Sequence, residues 1–219
     1  MNLIKPLPDR EDALYDAILS EISAGSLKGG DRLKVSELAK RHGLSTSPVR
    51  EVLRRMQGEG FVDIHPNRGA SVRKADAHTI QNIFEILQLL EPYFVSWFAE
   101  FAQPELLDEM EQIQAQIREM KTPDLAKFRK LDSEFHGVIA RHHYNSVAAD
   151  QWIKLRRALN VHAARLRINT QRHAAILEEH DDLLAALRAG DVKRADMVIR
   201  KHVGGSFVQM TQQMRALGF

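Results

Sequence analysis

Four side chains in the second half of the chain have the types and the spacing to hold a divalent cation: Asp132, His136, His180 and His202. Asp132 and His136 stand four residues apart, so on a helix they stack on one face. That face adjoins Leu131 and Phe135, which turns both polar groups inward. His180 lies among Ile176, Leu183 and Leu184, and His202 on the face of Ala195, Val198 and Ile199. Polar groups from three helices, all directed at an apolar core, need partners. Three imidazoles and a carboxylate around one divalent ion would satisfy them. Spacing alone also allows a buried polar network without an ion. His42, His78, His142, His143, His162 and His173 read as surface or pocket-wall residues.

The elements that must position these groups are helices. Ile80, Ile83, Phe84, Leu87 and Leu90 form one apolar stripe, and Pro92 is expected to kink or restart it. Leu106, Met110, Ile113, Ile117 and Met120 form a second stripe, with a break at Thr122-Pro123. Leu125 to Val138 form a third, ending near Tyr144-Asn145-Ser146. Helices over about Val147–Arg167, Gln171–Arg188 and Asp191–Ala216 complete the set, with Ala189-Gly190 as the last turn. Residues 76–219 therefore read as an all-helical bundle of six or seven helices.

Residues 1–75 read differently. Asp9 to Ala24 make a first helix, and a glycine-rich loop follows to Asp31. Val35, Leu38 and Ala39 share a helix face that Gly43 ends. Ser47 offers an N-cap before Pro48, and Val49, Val52, Leu53 and Met56 follow at buried-stripe spacing. The opposite face carries Arg50 and Arg54, and Arg50 is expected in the first turn, where the helix dipole disfavours a cation. A phosphate or base acceptor beyond the helix end would offset that conflict. Helix, turn and basic second helix over about residues 35–57 fit DNA recognition. Phe61–His65 and Ala70–Arg73 alternate around a turn-rich Pro66–Gly69, a hairpin over about residues 61–73. The unit is thus a winged helix-turn-helix, with His65 in the wing.

Charge follows the same division. Of 219 residues none is cysteine, which excludes disulfides and thiolate metal sites. The net charge is only +2, yet Arg32 to Lys74 hold ten lysines and arginines against four acids, an excess of six in 43 residues. A hydrophobic share of 44% supports real cores. The N-terminal MNLIKPLPDRED lacks the apolar run of a signal peptide, and no run of about eighteen apolar residues spans a membrane. A cytoplasmic protein is expected.

Over residues 9 to 74 the sequence resembles the GntR family of bacterial transcription regulators. The resemblance rests on Gly30-Asp31-Arg32-Leu33, Ser36-Glu37-Leu38-Ala39, Ser47-Pro48-Val49-Arg50-Glu51, Glu59-Gly60-Phe61-Val62 and Arg68-Gly69. Thr46 departs from the arginine the family often has there. It implies DNA contacts at Ser36, Ser45, Thr46, Ser47, Arg50, Arg54, His65, Arg68 and Gly69. The segment Asp132-Ser133-Glu134-Phe135-His136, with Asn145, Glu179-His180 and His202, resembles the FCD effector domain of the FadR branch. That implies one divalent metal per chain on Asp132, His136, His180 and His202, zinc foremost, with nickel or manganese as alternatives. It also implies a small-molecule effector, in many relatives an organic acid, and a homodimer on palindromic double-stranded operator DNA, most commonly as a repressor. Many relatives carry an arginine three residues before Glu91; here that position is Gln88, and Arg141, Arg165 or Arg167 are the candidate replacements as effector contacts. Two rival functions are weighed. A metal-dependent hydrolase tethered to DNA would need a placed general base, and no HExxH-like helix supplies one. A structural nucleoid-type binder would leave the inward polar cluster unexplained.

Overall fold

A computed structural model describes residues 10–66, 68–74, 76–120, 124–163 and 166–218. The chain divides into two compact units, Met1–Ala75 and Asp76–Phe219.

The first unit is built from α1 (Arg10–Ser23), β1 (Arg32–Leu33), α2 (Val35–His42), α3 (Thr46–Gly58), β2 (Val62–His65) and β3 (Gly69–Val72). Leu14, Ile18 and Ile22 of α1 are buried, as are Leu38 of α2 and Val49, Val52, Leu53 and Met56 of α3. These are the stripes of apolar side chains at helical spacing, and their burial is what holds three short helices together. Gly43 closes α2 at φ 63°, and its N–H donates to the Ala39 carbonyl. At the other end of α3, the Tyr15 hydroxyl donates to Glu59, and the Arg55 guanidinium lies 4.1 Å from the centre of the Tyr15 ring.

Three antiparallel strands in the order β1-β3-β2 make the sheet. The hairpin pairs Val62 with Val72 and His65 with Gly69. β1 leaves no signal in the sequence, because two residues cannot show an alternation. It pairs Leu33 with Ala70. Gly69 has φ 81°, and a Cβ there would stand 3.1 Å from the Leu33 carbonyl oxygen, so the close approach of β1 and β3 requires glycine twice over.

The second unit holds α4 (Ala77–Phe101), α5 (Pro104–Arg118), α6 (Leu125–His142), α7 (Ser146–His162), α8 (Thr170–Arg188) and α9 (Val192–Ala216). It is the all-helical bundle anticipated, with six helices among the described residues. Asp76, Asp124, Asn145, Asn169 and Asp191 each accept from a backbone N–H two or three residues on, capping α4, α6, α7, α8 and α9. α5 instead starts on Pro104, whose missing N–H costs nothing in a first turn. α4 packs along α9 and against α6, α7 and α8, while α5 packs against α6 and α8.

Three expectations need correction. α3 starts at Thr46 with Ser45, not Ser47, at the N-cap. Pro48 falls two residues later, still among the N–H positions that have no intrahelical acceptor. α4 does not restart at Pro92 but runs unbroken for 25 residues. Proline forfeits about 3 kcal/mol in a helix interior, and burial of Leu87, Phe94, Val95 and Phe98 around it offsets that. α7 ends at His162 rather than Arg167. There the Arg129 side chain donates to the Ala163 and Leu166 carbonyls, both at 2.5 Å, and supplies partners a further turn would have given. The break expected at Thr122-Pro123 lies outside the described residues.

Gly69→Ala is expected to cost about 1–2 kcal/mol locally, the penalty of a left-handed non-glycine residue. The Val72 amide, which donates to the Asp31 carbonyl at 2.9 Å, should then exchange its proton about tenfold faster or more. Unchanged protection at Val72 would contradict the fit of β1 against β3.

Candidate functional site

In the second unit α6 carries Asp132 and His136 one turn apart, α8 carries His180, and α9 carries His202. One ligand atom from each lies within 4.8 Å of all the others. His136 Nε2 and His202 Nε2 are 3.1 Å apart. Asp132 Oδ1 lies 3.6 Å from His180 Nε2 and 4.0 Å from His136 Nε2. Zinc–nitrogen bonds near 2.0–2.1 Å put neighbouring tetrahedral ligands about 3.3 Å apart, so ligand atoms up to 4.8 Å apart must close by about 1.5 Å or less to hold a cation.

The backs of the rings decide which nitrogen faces inward. Gln114 commits its amide nitrogen to the Leu177 carbonyl at 3.0 Å and to Asp181 at 3.1 Å. Its oxygen is therefore left to accept from His180 Nδ1 at 3.0 Å. Glu179 accepts from His202 Nδ1, also at 3.0 Å. Behind His136, Glu91 Oε2 stands 3.7 Å from Nδ1, and Glu91 Oε1 accepts from the Trp152 indole at 3.0 Å. With the proton held on Nδ1, the Nε2 lone pairs of His180 and His202 are offered to the centre, the arrangement metal-binding histidines have, whereas 3.7 Å to Glu91 is too long to fix the His136 tautomer. His136 can donate to His202 in the absence of an ion. His180 Nε2, fully buried, has no hydrogen-bond partner. An orphaned buried acceptor costs free energy unless something electropositive meets it, so the donor set fits a divalent cation.

Electrostatics point the same way. Burial pushes His136 and His180 well below the ordinary histidine range, and the Arg156 charge and the neighbouring imidazoles add to it. Both rings are neutral, which is the ligating form. For Glu179 burial works upward, but hydrogen bonds from His202 and Arg172 outweigh it and hold the carboxyl down to about 2.

Arg156 is the residue that sequence reasoning missed. Its Nη2 donates to Asp132 Oδ2 at 3.0 Å, and its Nε lies 3.8 Å from Glu91 Oε1. It stands one turn beyond Trp152, which is buried, and that spacing was the available signal. The expected effector contacts are scattered. Gln88 is half-buried on α4. Arg141 is exposed and pairs with Glu109 at 3.7 Å, because its position on α6 falls off the inward face of Asp132 and His136. Arg167 is exposed, and Arg165 lies outside the described residues. Among the other histidines, His143 and His162 are buried rather than superficial; His143 packs among the rings of Tyr93, Phe94 and Trp97.

In the first unit, α3 and the wing border a concavity of about 680 Å³. It gathers Ser36, Thr46, Arg50, Arg54, His65, Arg68 and Gly69; Ser45 and Ser47 do not line it. Arg32 and Lys34 also line it and were not anticipated, since β1 was not. Arg32 Nε donates to the Arg68 carbonyl at 3.0 Å and ties β1 to the wing. Arg54 pairs with Glu51 at 2.5 Å. Among the described residues no carboxylate lies within ion-pair distance of Arg50. With α3 starting at Thr46, Arg50 sits in the second turn, so the conflict with the helix dipole is weaker than expected. Its exposed, unpaired charge is the stronger argument for an anionic partner.

Comparison with known proteins adds to this geometry. Residues 82–205 match the FCD domain, and residues 10–72 match the family described as bacterial regulatory proteins, gntR family. The chain is 26% identical over 198 residues to the uncharacterized HTH-type transcriptional regulator YdhC of Bacillus subtilis, covering 86% of this chain and 85% of the relative. It is 24% identical over 207 residues to the HTH-type transcriptional repressor GlaR of Escherichia coli, covering 86% and 90%. Its fold is similar to that of E. coli McbR/YncC, with TM-score 0.82 at 21% identity over 94% of this chain and 99% of that one. A GntR regulator from Rhodococcus gives TM-score 0.79 at 17% identity, over 92% and 97%. Among the described residues no helix is long and apolar enough to cross a membrane.

The Glu179 carboxyl yields a test by pH. Its folded value of about 2 lies below its ordinary 4.5, so its contribution, about 3 kcal/mol, is fully present above pH 4.5. It is lost as pH falls toward 2. Both tryptophans, Trp97 and Trp152, lie in the second unit, so their fluorescence follows its unfolding. Glu179→Gln should be less stable than the wild type at pH 7 and converge with it between pH 4.5 and 2. A gap that stays constant with pH would contradict the buried Glu179 ion pair.

Proposed function

The chain belongs to the gntR family of bacterial regulatory proteins and is a transcriptional regulator with an FCD domain, not an enzyme, and from that premise we propose a ligand-responsive repressor. It binds a palindromic operator as a homodimer and senses a metabolite through a metal-assisted site in the second unit. The observation that carries the DNA half is the basic groove, where α3 and the wing present Arg50, Arg54, Arg68 and His65 together with Arg32 and Lys34. In this proposal Arg50 and Arg54 reach base edges or phosphates, with Ser36, Ser45, Thr46 and Ser47 positioning the end of the recognition helix. His65, Arg68 and Gly69 set the wing against the backbone or minor groove. Two copies would place two recognition helices about one helical turn apart.

The second half of the proposal is one divalent ion per chain on Asp132, His136, His180 and His202. Zinc suits the imidazole-rich set, with nickel and manganese as the alternatives. The orphaned His180 Nε2 supports it. When bound, the ion would supply a Lewis-acidic anchor for an oxyanion. Three carboxylates (Glu91, Asp132, Glu179) face two guanidiniums (Arg156, Arg172) around the site. A divalent cation turns that balance from one negative charge to one positive, which favours an anionic effector such as an organic acid. Arg156, in contact with Asp132, is the cation best placed to share it; Gln88 remains a candidate contact, and the exposed Arg141 does not. Effector binding shifts the balance between conformations of differing operator affinity. The tethered-hydrolase alternative draws no support from the family or from the similar proteins.

Fluorescence anisotropy on an operator selected from a random duplex library tests the DNA half. Arg50→Ala should weaken operator binding by about 1–3 kcal/mol and relax specificity, while Lys34→Ala should weaken all duplexes alike and flatten the salt dependence. Arg50→Ala protein that binds its operator as the wild type does would remove Arg50 from the interface. Equal affinity of the wild type for operator and for competitor DNA would favour a nucleoid-type binder.

A further inference from the structure

His202 is held from behind by a side chain that does not reach the cluster. Arg172, in the first turn of α8, is buried. Its Nη1 donates to Glu179 Oε1 at 3.0 Å. Its Nη2 donates to the His202 carbonyl at 2.7 Å and to Ser206 Oγ at 3.1 Å. The same Nη2 lies 2.8 Å from Glu179 Oε2, the oxygen that accepts from His202 Nδ1. One guanidinium thus fixes both the carboxylate that orients the His202 ring and the peptide that carries it.

That guanidinium occupies the space where a side chain at position 205 would begin. A Cβ on Gly205 would stand 2.6 Å from Arg172 Nη1 and 2.9 Å from its Cζ. Gly204, beside it in α9, has nothing within 4 Å. Glycine is costly inside a helix, and of this adjacent pair Gly205 has a neighbour that accounts for it. We propose that Gly205 and Arg172 together set the metal affinity of the Asp132/His136/His180/His202 cluster: the missing Cβ at 205 admits the guanidinium that locks Glu179 behind His202. Arg172 is then a positioning residue, two contacts removed from the ion. The inference rests on the proposal that the cluster holds a divalent cation. The physical basis is that partners behind a ligating histidine fix its tautomer and ring orientation, and their loss lowers metal affinity by about 10–100-fold. An alanine at 205 collides with the far end of a flexible side chain, so the chain can fold while the guanidinium gives up part of its grip.

The test is a zinc titration of the full-length protein against a chromophoric chelator, on the wild type, Gly204→Ala, Gly205→Ala, Arg172→Lys and the Gly205→Ala/Arg172→Lys double variant. Gly204→Ala should stay within about twofold of the wild type, whereas Gly205→Ala should lose about tenfold. In the Arg172→Lys background, Gly205→Ala should cost nothing more, because the slim lysine tip yields to the new methyl. Gly205→Ala matching Gly204→Ala, or losing the same factor in both backgrounds, would overturn the inference. A wild type that takes up no zinc would fail the metal proposal itself and take the inference with it. If Gly205→Ala does not fold by circular dichroism, Arg172→Lys decides: reduced zinc affinity at an unchanged metal-free melting temperature supports the positioning role, and unchanged affinity refutes it.

Discussion

The second unit depends on one constraint: three imidazoles, three carboxylates and two guanidiniums lie buried or nearly so in a helical core. Removing such groups from water is costly, and attraction between them repays the cost only when each is met in good geometry. The structure meets them in pairs: Gln114 with His180, Glu179 with His202 and Arg172, and Arg156 with Asp132. Apart from Arg172–Glu179, which lies within α8, each pairing crosses between helices, so the polar network ties α5 to α8, α8 to α9 and α6 to α7. At the centre it leaves His180 Nε2 without a hydrogen-bond partner, and further out Glu91 Oε2 and the Nε atoms of Arg156 and Arg172. The acceptor left open at the centre is the observation that supports the proposal of a cation there.

The first unit works by the opposite rule, with its apolar side chains inward and its charges left in water. Met56 and Val52 bury one face of α3, and this leaves Arg50 and Arg54 on the solvent side. Gly69 lets β1 close against β3, which brings Arg32 beside the wing. The cations of helix, strand and wing therefore converge because of packing, without any mutual attraction to gather them. Repulsion among them is tolerable in high dielectric and would be relieved by a polyanion.

Much of this was legible in the sequence where a periodic signal was long. The stripes of α4, α5, α6 and α9 located their helices, and the spacing of Asp132 to His136 gave a shared face outright. Gly43 marked its turn because few other residues adopt that backbone. Two of the failures share a cause, a contact distant in sequence. β1 exists because β3 is there to pair with it. α7 stops where Arg129 takes over its carbonyls, 34 residues away from Ala163. The early start of α3 reflects the tolerance of a helix's first turn, which spacing cannot resolve. Gln114 and Arg172 read as ordinary polar residues until their partners were known, and Arg156 was recoverable only by extending the Trp152 face one more turn.

Whether the four inward groups of the second unit hold an ion decides whether the bundle has a metal-assisted site. Native mass spectrometry of the freshly purified protein, before and after chelation and after re-addition of zinc, nickel or manganese, measures this directly. One divalent ion per chain is expected, lost on chelation, regained on re-addition, and absent from His180→Ala protein. Wild-type protein that remains metal-free with all three ions would contradict this, and the four residues would then be a polar network with one acceptor left unsatisfied.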